Sequence, residues 1–352
     1  SAASDVYKRQ ALISMPRGLW EDEFYMTQSI LLVIIVIGTI ALITCRSGVG
    51  ILLGEVNIYD KEMTECYRGV AIILIVVQHC AGELGTNIFT PFGGIGVAVF
   101  LLLSGFGLTE SFSKRGMRGF LKSKLWRVWV PFLLFYTGIY LLYDKHNYKN
   151  LFLNICSIRQ DDYWYVHYML RCYLAFWVAF KFFYKYRWYL LVAFAIYTFF
   201  CMDAIRAEQC LSFPIGVLLS EKKEKFLLLS KRKYVQLMAI FCIIGLVSLA
   251  IKQLPEVRDL CGTPFYSLVE FGIKLPLGIS VMIILWLLPH RWVINPVLAL
   301  CGALSYELYL VHMQMLGMVH SSLSAWMILL ISMLIAFSLQ KFLKQLQNFI
   351  LK

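Results

Sequence analysis

A chain of 352 residues that is 60% hydrophobic and only 15% charged, with a mean hydropathy of +0.70, does not fit a water-soluble globule. Its formal charge of +12 does not point to nucleic acid either, because Lys and Arg gather in short loops between apolar segments, where cytoplasmic retention accounts for them. The 10 cysteines are scattered and show no C-x-x-C or Cys/His ligand spacing, so no metal site is expected.

In chain order, residues 1–10 have no hydrophobic period and read as a cloning or assembly scar, part of an N-terminal segment over 1–24 that stands apart from the fold. No basic stretch leads into a short apolar run with a small-residue cleavage site, so no cleavable secretory signal is expected. A first transmembrane helix is expected over 25–50, centred on 29–44. Further apolar segments centre on 69–82, 94–112, 129–143, 165–184, 188–202, 209–220, 234–251, 267–289, 296–318 and 323–340. Together they make about eleven spans, several shorter than the roughly 20 residues that a ~30 Å hydrocarbon core requires, which a bundle tolerates where neighbours shelter the helix. The expected fold class is an all-α polytopic bundle: a membrane domain over 66–342, of about ten spans, behind one additional N-terminal helix. No polar stretch is long enough to fold as a soluble domain.

Charge sets the expected orientation. The segments "SKRGMRGFLKSKLWR", "KFFYKYRW", "EKKEKFLLLSKRKY" and "KFLKQLQNFILK" are all basic and fall on one side when the spans alternate. The loops "DKHNYKNLFLNICSIRQDDYW", "MDAIRAEQ" and "KQLPEVRDLCGTPFYSLVE" are mixed or acidic and fall on the other. The N-terminus is therefore expected outside and the C-terminus inside. Cys156 and Cys261 lie in outer loops, and the sequence leaves a disulfide between them open.

Within the second span, "CYRGVAIILIVVQHCAGE" sets Arg68 and His79 at the two ends of an apolar run. Eleven residues at about 100° each return to within roughly 20° of the same face, about 16 Å along the axis, so both face one groove. An ionisable side chain at membrane depth is unfavourable by roughly 2.5–3.5 kcal/mol and normally faces a bundle interior or a wet cavity. Interfacial snorkelling of Arg68 is the plainer alternative.

Further on come Ser104-Gly105-Phe106, then Lys124-x-x-Arg127 followed by Pro131, and near the end "SYELYLVH", Ser305 to His312. With Arg68 and His79 at R-x10-H spacing, these residues resemble the membrane acyltransferase-3 family, polytopic enzymes that acylate sugars of bacterial envelope polymers. The resemblance runs over about residues 66–340 in family order. It matches F-x-x-S-G-F with Leu for the first Phe, R-x-x-R with Lys for the first Arg, and S-Y-x-x-Y-L-x-H in full. It implies an acyl-CoA donor, most simply acetyl-CoA, a carbohydrate acceptor and residence among lipids of a bacterial cytoplasmic membrane. Some members append an extracellular hydrolase-like domain; a two-stage transfer relying on one would here need a separate partner protein.

On that reading Arg68 and His79 form the catalytic pair. An imidazole with an ordinary pKa near ~6.5 is neutral at physiological pH and takes a proton from a sugar hydroxyl, so His79 is the candidate general base. Arg68, Lys124 and Arg127 form a basic mouth for the donor phosphates. Ser104 reads either as a donor to the thioester oxygen or as a helix-packing contact. His312 reads as an acceptor-orienting group or a structural hydrogen-bonding one, with Tyr309 and Glu307 as its candidate partners. Glu307 sits in an apolar run and needs a buried partner. Trp164, with Asp161 and Asp162, is a candidate sugar contact. His167 reads as part of an interfacial aromatic belt, and Glu110 as a solvated ion pair with Lys114 and Arg115. The rival readings are a carrier of a small anion or lipid-linked sugar, and a non-catalytic partner in an envelope-polymer complex.

Overall fold

The computed structural model describes residues 19–47, 56–143, 148–156 and 163–350. Among them there is no strand, and each apolar segment named above contains a helix. In order these are α1 (Leu19–Ser47), α2 (Lys61–Glu83), α3 (Thr90–Arg115) and α4, a composite of Phe120–Lys124, a π-helical turn Leu125–Trp129 and Val130–Tyr143. Then follow α5 (Tyr148–Ile155), α6 (Trp164–Phe182), α7 (Arg187–Cys201), α8 (Ser212–Glu221) and α9 (Lys231–Gln253). The last four are α10 (Pro264–Leu287), α11 (Pro296–Ala303), α12 (Ser305–Met315) and α13 (Ser322–Ile350).

Seven of the described helices are long and apolar enough to cross a membrane, and α11 with α12 makes an eighth, bent by 79°. The expected count also included α6, α7 and α8. Of these, α7 and α8 are only 15 and 10 residues long, and α6 is diluted by Arg171, His167 and several tyrosines.

Local sequence explains where several helices begin. Thr263 accepts from the Tyr266 N–H at 3.3 Å ahead of Pro264, and Asn295 accepts from the Leu298 N–H at 2.9 Å ahead of Pro296. Both combine a side-chain cap with a proline at the position whose N–H has no helical partner. The Pro296 start fixes where α11 docks, and α11 holds one wall of the cavity described below.

Two close backbone contacts, each made by a pair of glycines, fasten the core. A Cβ on Gly69 of α2 would collide with the Leu298 carbonyl, and one on Gly302 of α11 with the Glu65 carbonyl. Likewise Gly105 of α3 lies against the Phe213 carbonyl, and Gly216 of α8 against the Leu102 carbonyl. Small residues let membrane helices approach until dispersion forces hold them. Gly302→Val is expected to push α11 off α2, lowering the thermal unfolding midpoint in detergent and the monodisperse yield; an unchanged midpoint would show that the contact is slack.

The additional N-terminal helix is docked rather than loose: the Ser322 hydroxyl donates to the Gln28 carbonyl at 2.8 Å, joining α1 to α13. At one end of the bundle Arg187 and Trp188 donate to Glu221 at 2.7 and 2.9 Å. Glu110 belongs to that end, and its partners differ from those expected: it accepts from Ser220 at 3.0 Å and Lys223 at 3.3 Å. The bundle brings a cation from another segment, and Lys114 and Arg115 are not the pair. His167 is also displaced from its expected setting. It is 1% exposed, with its ring edge-to-face on Phe132 of α4, which packs over it. Cys156 and Cys261 are both free, exposed thiols. Asp161 and Asp162 lie outside the described residues.

Candidate active site

A cavity of about 620 Å³ opens between α2, α4, α11, α12 and the C-terminal turns of α13. Its rim carries Arg68, Arg127 and Lys344, with Glu65 and Glu307 among them, and its inner wall is Phe100, Ser104, Tyr165, Tyr173 and Tyr309. Arg127 sits on the π-helical turn, whose Val130 N–H reaches back to the Leu125 carbonyl. Such turns leave a carbonyl out of register and recur at functional sites. Here the Tyr306 hydroxyl donates to the Val128 carbonyl at 2.6 Å, so the start of α12 holds the turn that presents Arg127. Lys124 does not line the cavity; its ammonium lies 5.1 Å from the Tyr173 ring centroid and within electrostatic reach of both Arg127 and Arg68. Glu307 is half-buried on the cavity lining, with Gln340 and the exposed Lys344 of α13 as its polar neighbours, so its setting differs from the expected buried pair.

Ser104 faces the cavity, with the Tyr173 hydroxyl 3.5 Å from its Oγ and the Tyr165 hydroxyl also against it. Close helix packing at this point is the work of Gly105, which frees the serine side chain for the cavity. Trp164 stands outside the lining, edge-on to Tyr165 at 6.2 Å.

His79 and His312 meet. His79 Nδ1 and His312 Nε2 are 2.9 Å apart, the rings stacked at 12° with centroids 5.2 Å apart. His312 Nδ1 lies 2.9 Å from the Leu308 carbonyl, one turn back on its own helix. A carbonyl only accepts, so His312 Nδ1 carries the proton and donates. In a neutral ring His312 Nε2 is then the acceptor, and His79 Nδ1–H donates to it. The chain of bonds ends on His79 Nε2, which holds a lone pair. His312 is fully buried, whereas His79 keeps part of its surface accessible. Neither ring lines the cavity; Tyr309 does, and its ring packs on His312 at 5.8 Å. Tyr163 steadies this part of α12, its hydroxyl donating to the Leu310 carbonyl at 3.0 Å.

The structure thus brings Arg68, Arg127, Ser104 and Glu307 to one cavity and pairs His79 with His312 beside it, with Lys124 and Trp164 just behind. Sequence reading missed the tyrosines Tyr163, Tyr173 and Tyr306 and the α13 residues Gln340 and Lys344. Tyr163 and Tyr173 were signalled only by the aromatic density of "DDYWYVHYMLRCYL", and Tyr306 and Lys344 lay in stretches already singled out, "SYELYLVH" and "KFLKQLQNFILK", with no role assigned to them. Among the described residues no three His, Cys, Asp or Glu side chains gather as a metal-ligand set.

Apolar helices long enough to span a membrane, a cavity rimmed by Arg68, Arg127 and Lys344, and a hydrogen-bonded imidazole pair behind its wall define a polytopic membrane protein with a polar internal site. The chain belongs to the acyltransferase-3 family, whose acyltransferase domain matches residues 65–339, and it is a membrane acyltransferase. No curated protein and no solved structure matches it.

Proposed function

We propose that this acyltransferase moves an acyl group, acetyl foremost, from cytoplasmic acyl-CoA to a hydroxyl of an envelope carbohydrate, with His79 as general base. The observation that supports this most is the Leu308–His312–His79 chain, which leaves His79 Nε2 as an acceptor beside a cavity rimmed by Arg68 and Arg127. In the reaction the acceptor oxygen attacks the thioester carbon as its proton passes to His79 Nε2. The C–S bond then breaks, and the proton goes on to the leaving thiolate. His312 fixes the tautomer and plane of His79, as the orienting member of a nucleophile–base series does. Ser104 donates to the developing oxyanion, Arg68 and Arg127 hold the donor phosphates, and Lys124, behind the lining, adds positive charge to the mouth without touching the donor. Glu307, on the lining, is assigned to substrate contact, and Trp164, outside it, keeps no contact role. The orientation that suits this chemistry places the basic mouth and the C-terminus in the cytoplasm and the N-terminus outside. The domain then comprises about ten spans over 66–342 in a bacterial cytoplasmic membrane, with the 25–50 helix as an eleventh.

Arg68→Ala and Arg127→Ala are each expected to raise the donor KM by roughly 10- to 100-fold with a smaller effect on kcat, because charge-assisted hydrogen bonds worth about 1.5–3 kcal/mol are lost from the bound ground state. Unchanged donor affinity in both variants would reject the phosphate-binding mouth. The function itself is tested by supplying radiolabelled acetyl-CoA to bacterial membranes with and without this protein. Label entering a glycan only when the protein is present supports the proposal, and no difference between the two membranes rejects it.

A further inference from the structure

Tyr309 stands between the two halves of the site. One part of its side chain lines the cavity, and its ring packs on His312 at 5.8 Å, while His79 and His312 themselves do not reach the cavity. Tyr165, another lining residue, meets Tyr309 at a steep angle at 5.5 Å. Both rings are 5% exposed, so they form a packed partition rather than a loose flap. A thioester held in the cavity therefore brings its acyl group up against aromatic rings before it reaches the imidazole pair. Packed interiors yield little room, and forcing extra methylenes against such a wall is unfavourable.

We propose that Tyr309 sets the acyl-chain length this enzyme accepts: its ring leaves space for a short acyl group beside the His79–His312 pair and excludes longer ones. The inference rests on the acyl-CoA reading above and adds a selecting residue to it. The packing contacts to Tyr165 and His312 are made by the ring, so the ring is what sets the length limit. One methylene in an apolar pocket changes kcat/KM by about 10- to 200-fold, so the wild-type protein should lose at least about tenfold between acetyl- and butyryl-CoA.

The test uses bacterial membranes carrying the full chain, given acetyl-, butyryl- or hexanoyl-CoA labelled in the acyl group, with label in the glycan fraction as the readout. Tyr309→Ala should narrow the acetyl-to-butyryl ratio by about tenfold or more and admit hexanoyl, while Tyr309→Phe keeps the wild-type ratio. Should the alanine variant fail to accumulate in the membrane, Tyr309→Leu, which fills more of the space, carries the same comparison. Variants that transfer acetyl with the wild-type chain-length ratio overturn the role of Tyr309 alone. Absence of transfer by the wild type from all three donors overturns the acyl-CoA reading and this inference with it.

Discussion

Replacing His79 with alanine is expected to lower kcat for acyl transfer by about 10²- to 10⁴-fold, the usual contribution of a positioned general base, while insertion and donor KM stay near wild type. The asymmetry of the imidazole pair gives the reason. His312 is committed twice, to the Leu308 carbonyl and to His79, and is fully buried, so it has no nitrogen left for substrate. His79 is committed once and remains partly accessible. Loss of the second imidazole should therefore hurt less. His312→Ala leaves a base whose tautomer and plane are no longer fixed, so kcat falls with donor KM unmoved and the pH–rate profile shifts.

A double variant sharpens the point. Two residues that act as one unit are strongly non-additive, so His79→Ala with His312→Ala should be no slower than His79→Ala alone. The measurement is label transfer at saturating donor by purified protein in lipid vesicles. Full activity of His79→Ala in that assay would remove the general base from the mechanism. Additive losses in the double variant would instead show two independent roles.

The parts of the site legible in the sequence were those carried by one helix. Periodicity put Arg68 and His79 on one face and the cost of ions at membrane depth marked both as inward-facing, but the expected shared groove is not what the bundle builds: Arg68 lines the cavity, and His79 lies behind it against His312. What could not be read was contact across the chain: His312 lies 233 residues from His79, and neither spacing nor composition couples them. Glu110 shows the same limit from the other side. Lys114 is its neighbour at helical spacing, the arrangement sequence favours, yet the bundle offers Lys223. His167 was misplaced because an aromatic-rich segment looks alike at a membrane interface and in a packed core; only the arrival of Phe132 from α4 distinguishes them. The π-helical turn under Arg127 had one local signal, Pro131, which has no N–H for the Arg127 carbonyl; the hydrogen bond from Tyr306 that holds the turn, 178 residues away, had none.

Lys274→Met is expected to be among the most destabilising single changes in the protein, by about 3–5 kcal/mol, although Lys274 is remote from the cavity lining. Its ammonium lies between the carboxylates of Glu208 and Glu270, the latter at 3.1 Å, and Lys252 gives Glu270 a second partner. The four side chains tie the segment ahead of α8 to α9 and α10, with two cations balancing two anions. Methionine keeps much of the volume and removes the charge. Glu270 retains Lys252, but Glu208, whose side chain is 3% exposed, is left as a carboxylate with no cation against it. The penalty thus belongs to Glu208 more than to the lost lysine, and a second change should relieve it. Lys274→Met with Glu208→Gln is expected to recover more than half of the lost stability, because a neutral amide is far less costly to bury than an ion. Unfolding titrations in mixed micelles measure both variants. If the single variant is as stable as wild type, or the second change brings no recovery, then water reaches the cluster and its charges are not buried as the side-chain exposures indicate.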